Sequence, residues 1–359
     1  INNEPLSEAV FAHYFFEIWD RLEEAARKRN AASDEPTKPV YFRYLTLMAL
    51  HAYICEGVDV AIMECGIGGE YDSTNILVSP SVTAITNLGI DHTAMLGNTI
   101  DEIAWHKSGV FKSGVAAFTV PQPESAIKVL RQRATEKEVD LTIVERHPDL
   151  DHLRLGLAAD FQKTNASLAI SVAAAFLRSI GVKDVPDPKA IARSALPPKF
   201  KQGLEQVSWP GRCEIRREPA SNIAWHVDGA HTLESIEVAG RWFAEQVSAS
   251  TSHAKTSQKR KRILLFNQQT RDAAALAKAL HTTLAAALGD EKPFTHVAFS
   301  TNVTFADAGY KPDLVSVNTN ADEPKLGPIL ILAPKPRSSR LSKRLYGGAE
   351  TLPRKRKKR

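Results

Sequence analysis

The sequence predicts an α/β protein: a parallel, doubly wound sheet first, then a smaller α/β region. Three observations predict it. The chain has 359 residues, about two domains at roughly 150 residues each. Short apolar runs alternate with stretches of helical period, the pattern of a parallel sheet with crossover helices. The same pattern restarts after a Pro-punctuated segment, Pro186 to Pro198. With 43% apolar and 24% charged residues, the composition is that of a folded globular chain and excludes disorder, collagen or a coiled coil as the dominant state.

The elements follow in order. Ser7 to Arg27 places Val10, Phe11, Tyr14, Phe15, Ile18 and Leu22 at helical spacing, with Ser7 as the N-cap. Lys28 to Pro39 is polar and Pro-bounded, a surface loop. Tyr41 to Cys55 is again helical in period. Val58 to Glu64 is a short apolar run expected to be a buried strand. Val82 to Leu88 and Val115 to Val120 are two more such runs, with helices over Ile100 to Phe111 and Glu124 to Glu138. Phe161 to Ile180 is a long, Ala-rich helix, apolar on most sides and so expected to be buried. The second region reads strand Ile223 to Val227, helix Leu233 to Val247, an exposed Ser/Thr/Lys-rich insertion Ser248 to Arg262, strand Ile263 to Phe266, helix Arg271 to Leu288 and strand His296 to Ser300. The expected domains are residues 1–205 and 206–333, followed by a basic, unfolded tail over 334–359.

The net charge of +5 is a property of that tail. Lys335 to Arg359 carries eleven basic residues against one acid, Glu350, which leaves 35 basic and 40 acidic residues elsewhere. A nucleic-acid partner is therefore not implied by overall charge. The three cysteines, Cys55, Cys65 and Cys213, fit neither a disulfide framework nor zinc-ligand spacing, which points to a reducing compartment. No run of about 18 apolar residues is present to span a membrane.

The sharpest segment is Glu64-Cys65-Gly66-Ile67-Gly68-Gly69, placed where a strand would end. Ligands of doubly wound sheets bind outside the carboxyl ends of strands. An acidic side chain there can hold Mg²⁺, and Gly66 and Gly68 would let the backbone approach a polyphosphate. The same residues would equally make a plain strand-to-turn connection. The next strand ends in Asn87-Leu88-Gly89-Ile90-Asp91-His92, bringing a second metal-ligand candidate, His92, to the same edge. Lys107 follows on a helix fifteen residues later. Each of the three has an ordinary structural alternative, and their shared neighbourhood points to a phosphate and metal site.

The run from Val58 through Phe118, with MECGIGGEYDSTN, NLGIDHTAMLGNTIDEIAWHKSGVFK and AAFTVPQP, resembles eukaryotic folylpolyglutamate synthases of the Mur ligase superfamily. LAADFQKTNASLAI (Leu157 to Ile170), WPGR (Trp209 to Arg212), HVDGAH (His226 to His231) and LLFNQQTRD (Leu264 to Asp272) extend the likeness over roughly Asn3 to Asp313. The resemblance implies a Mur-ligase-like fold, with an ATP-binding domain and a C-terminal ligase domain. It implies an ATP-dependent amide ligase that converts the γ-carboxylate of a reduced folate to an acyl phosphate, which the amine of L-glutamate then attacks. By resemblance, Glu64 and His92 are magnesium ligands, for two ions, and Lys107 carries a carbamate that adds a carboxylate-like anion. Asn165 contacts the nucleotide, Arg212 and His231 reach the ATP phosphates, and Asp228 contacts the ribose. Lys107, Arg212 and His231 are the catalytic candidates. Asn267 and Asp272 are placed near the glutamate or the domain cleft. Asn165 could instead cap a turn, and Asp228-Gly229 is a good turn dipeptide.

Two elements of the family pattern are missing. No Gly-Lys-Gly-Ser/Thr string occurs, and the resemblance places that phosphate-binding turn upstream of Ile1. After about Pro328 the family pattern gives way to the basic tail, where a nuclear-localisation or nucleic-acid role stands against an unrelated tail. The expected function is folate polyglutamylation by a monomer in the cytoplasm, the mitochondrion or both. Dihydrofolate synthase and a binding-only relative are the alternatives.

Overall fold

The computed structural model describes residues 1–29, 35–221, 223–252, 261–268 and 271–300. The expected basic tail over 334–359, and the part of the second domain beyond Ser300, lie outside the described residues.

Two helices open the chain, α1 (Glu8–Lys28) and α2 (Tyr41–Cys55). Ser7 caps α1 as expected: its hydroxyl accepts from Val10 N at 3.3 Å. Tyr14 from α1 and Met48 and Ala52 from α2 close a small apolar seam between them, and the Tyr14 hydroxyl donates to Glu56 Oε1 at 2.6 Å.

The first sheet is parallel, in the order β1 (Thr83–Ile85), β2 (Ala117–Thr119), β3 (Leu141–Ile143). Every residue of the middle strand is buried. Ala117 and Phe118 point to opposite faces, because side chains alternate along a strand. Ala117 enters a core with Ile103 and Ala104 from α4 (Ile100–Lys107) and with Ala126, Leu130 and Ala134 from α5 (Glu124–Glu136). Phe118 enters a second core with Ala166, Leu168 and Ile170 from α6 (Gln162–Ser179). Helices on both faces of a parallel sheet make the doubly wound layer that the alternation predicts. The Thr119 hydroxyl, fully buried in this strand, donates to Ile85 O at 3.0 Å. The short α3 (Thr93–Leu96) lies between β1 and α4.

Beyond α7 (Pro198–Gln206) the chain forms an antiparallel pair, β4 (Glu214–Glu218) with β5 (Ile223–Val227), and a parallel pair, β6 (Ile263–Asn267) with β7 (His296–Ser300). Helices α8 (Leu233–Ser252) and α9 (Ala273–Leu288) cover one face of the second pair, where Phe266 packs with Ile236, Leu276, Leu280 and Leu284. A further seam, Ala159 with Cys213 and Trp242, ties the segment before α6 to this region.

The structure corrects several expectations. Val58 to Glu64 forms no strand among the described residues. A strand exists only as one rail of a ladder, and Val60 and Ile62 here are 46% and 89% exposed. The second region sets an antiparallel pair, β4 with β5, beside its parallel one. The expected insertion begins later, because α8 runs on to Ser252. Strands β3 and β4 and helix α7 were not legible in the sequence: Glu214–Glu218 is a run of charged residues around one isoleucine, without the alternation that marks a strand.

Truncating the middle strand's large side chain, Phe118→Ala, is expected to cost about 3–5 kcal/mol, read as a drop in the urea midpoint. Asp149 makes a pH-dependent contribution. It accepts the Leu196 N–H at 3.1 Å and pairs with Lys201 at 3.3 Å, and the two hold its carboxyl below the ordinary range. The folded group is then the stronger acid, so its contribution is complete above the unfolded value of about 4 and is lost as pH falls below it. Urea midpoints followed downward from pH 5 are expected to fall more steeply in the native protein than in Asp149→Asn. Parallel curves would remove Asp149 from the acid transition.

Candidate functional site

The Gly-rich turn is built by one carboxylate. Asp72 Oδ2 accepts the backbone N–H groups of Gly66 and Ile67, each at 3.0 Å, and its Oδ1 accepts those of the Thr74 backbone and hydroxyl at 2.9 and 2.6 Å. Gly68 sits at φ +70°, which a side chain would disfavour. Gly69 lies against the end of α4, where a Cβ would come within 2.8 Å of Lys107 O and 2.9 Å of His106 O. Glu70 N donates to His106 O at 2.8 Å. The turn is thus pressed onto the helix that carries Lys107.

Glu64 is exposed and Lys107 half-buried, and both act on the Cys65 thiol between them. Burial pushes that thiol up; the Thr74 hydroxyl opposes it, Asp72 and Glu64 add to it, and the Lys107 ammonium opposes it. Glu64 and Lys107 therefore share one electrostatic neighbourhood. His92 heads α3 in the left-handed region, at φ +52°. The segment it starts packs back on the turn, since a Cβ at Gly68 would meet Leu96 at 2.9 Å. Among the described residues no three His, Cys, Asp or Glu side chains form a ready-made metal cage. Glu64 and His92 offer one carboxylate and one imidazole, of which the carboxylate is the kind of oxygen donor that could hold Mg²⁺. A carbamate at Lys107 would add a further oxygen anion.

Asn165 stands in the first turn of α6 and donates to Gln162 Oε1 at 3.0 Å. Asp228 accepts Cys213 N at 2.7 Å and Ala230 N at 2.9 Å, so it holds the WPGR loop to the HVDGAH loop, with lone pairs to spare. Gly229 N donates to Gly211 O at 2.9 Å. Arg212 is exposed over Gly229, its Nη1 within 2.7 Å of a Cβ built there. Burial and then Asp228 push the Cys213 thiol up to about 12, which makes it a packing residue and not a nucleophile.

His231 is fixed from behind. Its Nδ1 faces Gly229 O at 2.9 Å, and its backbone N–H donates to Ser235 Oγ at 3.1 Å. Its Nε2 faces Asp91 Oδ2 at 3.5 Å, and Arg271 Nη2 reaches Asp91 Oδ1 at 2.6 Å. Burial pushes the Asp91 carboxyl up, but the His92 N–H, the His92 ring and Arg271 outweigh it and hold the group below the usual range. Asp91 and Arg271 are the partners that motif reading passed over. Both lie inside quoted motifs, and nothing in either motif says that they meet. Asp272 caps α9, accepting Ala275 N at 2.9 Å. Asn267 donates to Ser300 Oγ at 3.2 Å across β6 and β7. A cavity of about 570 Å³ opens beside the turn, lined by Arg43, Glu70, Tyr71, Asp72, Ser73 and Asn75 among others.

Comparison with known proteins gives these residues a context. No protein-family model matches the chain. It is 47% identical over 324 residues to a folylpolyglutamate synthase of Neurospora crassa, covering 89% of this chain and 58% of that protein. It is 44% identical over 326 residues to one of Saccharomyces cerevisiae, covering 90% and 57%. The chain thus spans a little over half the length of these curated relatives. Among solved structures it is similar to the apo form of L. casei FPGS, at TM-score 0.61 and 20% identity over 84% of this chain and 76% of that one. An FPGS–AMPPCP–folate complex matches at TM-score 0.60 and 21% identity, over 83% and 76%. Mycobacterium tuberculosis folylpolyglutamate synthase complexed with ADP matches at 0.57 and 22%, over 83% and 69%. At such identities these structures establish the fold alone, the mixed α/β architecture with its parallel sheet. With nearly half of its residues identical over nine-tenths of its own length, the chain is similar over that stretch to the folylpolyglutamate synthases of both fungi.

Proposed function

We propose that the chain takes part in ATP-dependent ligation of L-glutamate to the γ-carboxylate of a tetrahydrofolate or its polyglutamate. The observation that carries this reading is the 44–47% identity to folylpolyglutamate synthases over about nine-tenths of the chain. The geometry is consistent with it. Glu64, the glycine turn and Lys107 lie together, and the His231 and Arg212 loops are braced by Asp228.

In this reading the carboxylate oxygen attacks the γ-phosphorus of ATP and ADP leaves. The amine of glutamate then attacks the acyl phosphate, expels phosphate and loses a proton as the amide forms. The task of the chain is to position these groups and to balance charge on the transferring phosphoryl. The Gly66 and Gly68 backbone would approach the nucleotide's phosphates once Phe42 and Leu96, which now pack against these glycines, give way. Arg212 and His231 supply donors to them, Asn165 and Asp228 hold the nucleoside, and Lys107, Arg212 and His231 carry the catalytic roles. Glu64 and His92, with a carbamate on Lys107, would hold Mg²⁺. When bound, that ion supplies positive charge at the phosphate oxygens. The same reading makes the protein a monomer of the cytoplasm or mitochondrion.

The test is a ligation assay with tetrahydrofolate, glutamate, Mg-ATP and bicarbonate, products resolved by mass spectrometry. A ladder of glutamate additions with matching ADP release is expected, and its loss in Lys107→Ala. Unconsumed ATP and unextended folate would overturn the reading, and extension of dihydropteroate alone would make the chain a dihydrofolate synthase. Gly69→Ala is expected to lower stability by about 1–3 kcal/mol through the close approach at α4. It should also depress ladder formation at temperatures where circular dichroism shows the variant still folded.

A further inference from the structure

Where the first sheet ends, one carboxylate is shared by groups from three loops. Asp91 Oδ1 accepts the backbone N–H of His92 at 2.7 Å and the Arg271 guanidinium at 2.6 Å. Its Oδ2 faces His231 Nε2 at 3.5 Å and His92 Nε2 at 3.7 Å. Most exposed ion pairs contribute little, because two long side chains must be immobilised to form them. This one differs on each side. The Asp91 rotamer is set by the His92 N–H, and its side chain is 24% exposed. The loop behind it is anchored where Leu88 N donates to Gln122 Oε1 at 2.9 Å. His231 is oriented by Gly229 O and Ser235, one turn ahead of α8. Arg271 immediately precedes Asp272, the cap of α9. Asp91 and His231 are thus held before Arg271 meets them, which limits the entropy that the contact costs.

The placement also has an electrostatic logic. The amino-terminal ends of α8 and α9 both carry partial positive charge, and each adds a nitrogen donor in front of it. Two such ends brought side by side would repel without an anion between them. Asp91 is that anion, and it belongs to the other half of the molecule. Glu234 in the first turn of α8 approaches the same loop: a Cβ at Gly89 would stand 3.6 Å from its Oε2.

We propose that Asp91 is a positioning residue. It bolts the heads of α8 and α9, through His231 and Arg271, to the loop that leaves β1, and so fixes the reach of His231 toward an anionic substrate bound at that edge. The bolt itself does not depend on the ligase reading. Its kinetic consequence does.

The experiment compares the native protein with Asp91→Asn, Arg271→Glu and the charge swap Asp91→Lys with Arg271→Glu. Hydrogen exchange by mass spectrometry reads the bolt without any substrate. Asp91→Asn and Arg271→Glu are expected to speed exchange about tenfold in peptides covering 229–236 and 271–277, and to leave 117–119 and 141–143 unchanged. The swap restores a pair with position 271 but leaves His231 facing a cation, so protection should return in 271–277 and not in 229–236. In ligation assays Asp91→Asn is expected to lower kcat by about tenfold to a hundredfold, as misplaced groups do, with the KM for ATP nearly constant. Native exchange rates in Asp91→Asn would overturn the bolt. Loosened heads with an unchanged kcat would overturn the positioning role. A native protein that makes no ladder would overturn the ligase reading, and the exchange result would still decide whether the bolt exists.

Discussion

The close approach of the Gly66–Gly69 backbone to the carboxyl end of α4 is the constraint on which the candidate site rests. Gly69 meets the carbonyls of His106 and Lys107, and Glu70 N completes the contact by donating to His106 O. Nothing larger than glycine fits between turn and helix, so the distance of the turn from the helix that carries Lys107 is fixed by van der Waals radii and not by a flexible side chain. Asp72 finishes the work by gathering four donors onto one carboxylate. The chain around Glu64 makes no strand of its own, and this turn is what holds it in register with the rest of the edge.

The second half of the site is organised differently. Its charged residues stand at the heads of two helices whose bodies are packed together through Leu276, Leu280 and Leu284. The apolar core orients the helices, the helices orient their first turns, and the first turns present His231 and Arg271. The chain of causes runs from burial to direction to charge.

Much of this was legible before any coordinates. Helix α2 spans the predicted Tyr41–Cys55 residue for residue, because its apolar run is too long for a strand and its ends are abrupt. Ile223–Val227 was equally plain. The strand expected at Val58–Glu64 was wrong for an instructive reason. A short apolar run reports preference for burial, while a strand also needs a neighbour to bond with, and that information is not local. Strand β4 failed in the opposite sense: Glu214-Ile215-Arg216-Arg217-Glu218 pairs with β5 although its own residues carry almost no apolar signal. In the candidate site, Glu64, His92, Lys107, Asn165, Arg212, Asp228 and His231 were each visible as motif members. The contact of Asp91 with Arg271 joins positions 180 residues apart, and no spacing rule spans that distance.

Four aspartates perform the same act in different turns. Asp72 accepts from Thr74 N, Asp91 from His92 N, Asp228 from Ala230 N and Asp272 from Ala275 N. Each bends back on the chain within three residues, a reach that belongs to a side chain with one methylene. Glutamate has the same charge and one carbon more, and it cannot close these rings without moving the turn. The acidic positions of the site are therefore gauged by length as well as by sign. Among descendants of this chain, neutral drift between the two acidic amino acids is open on the surface and closed at these four places.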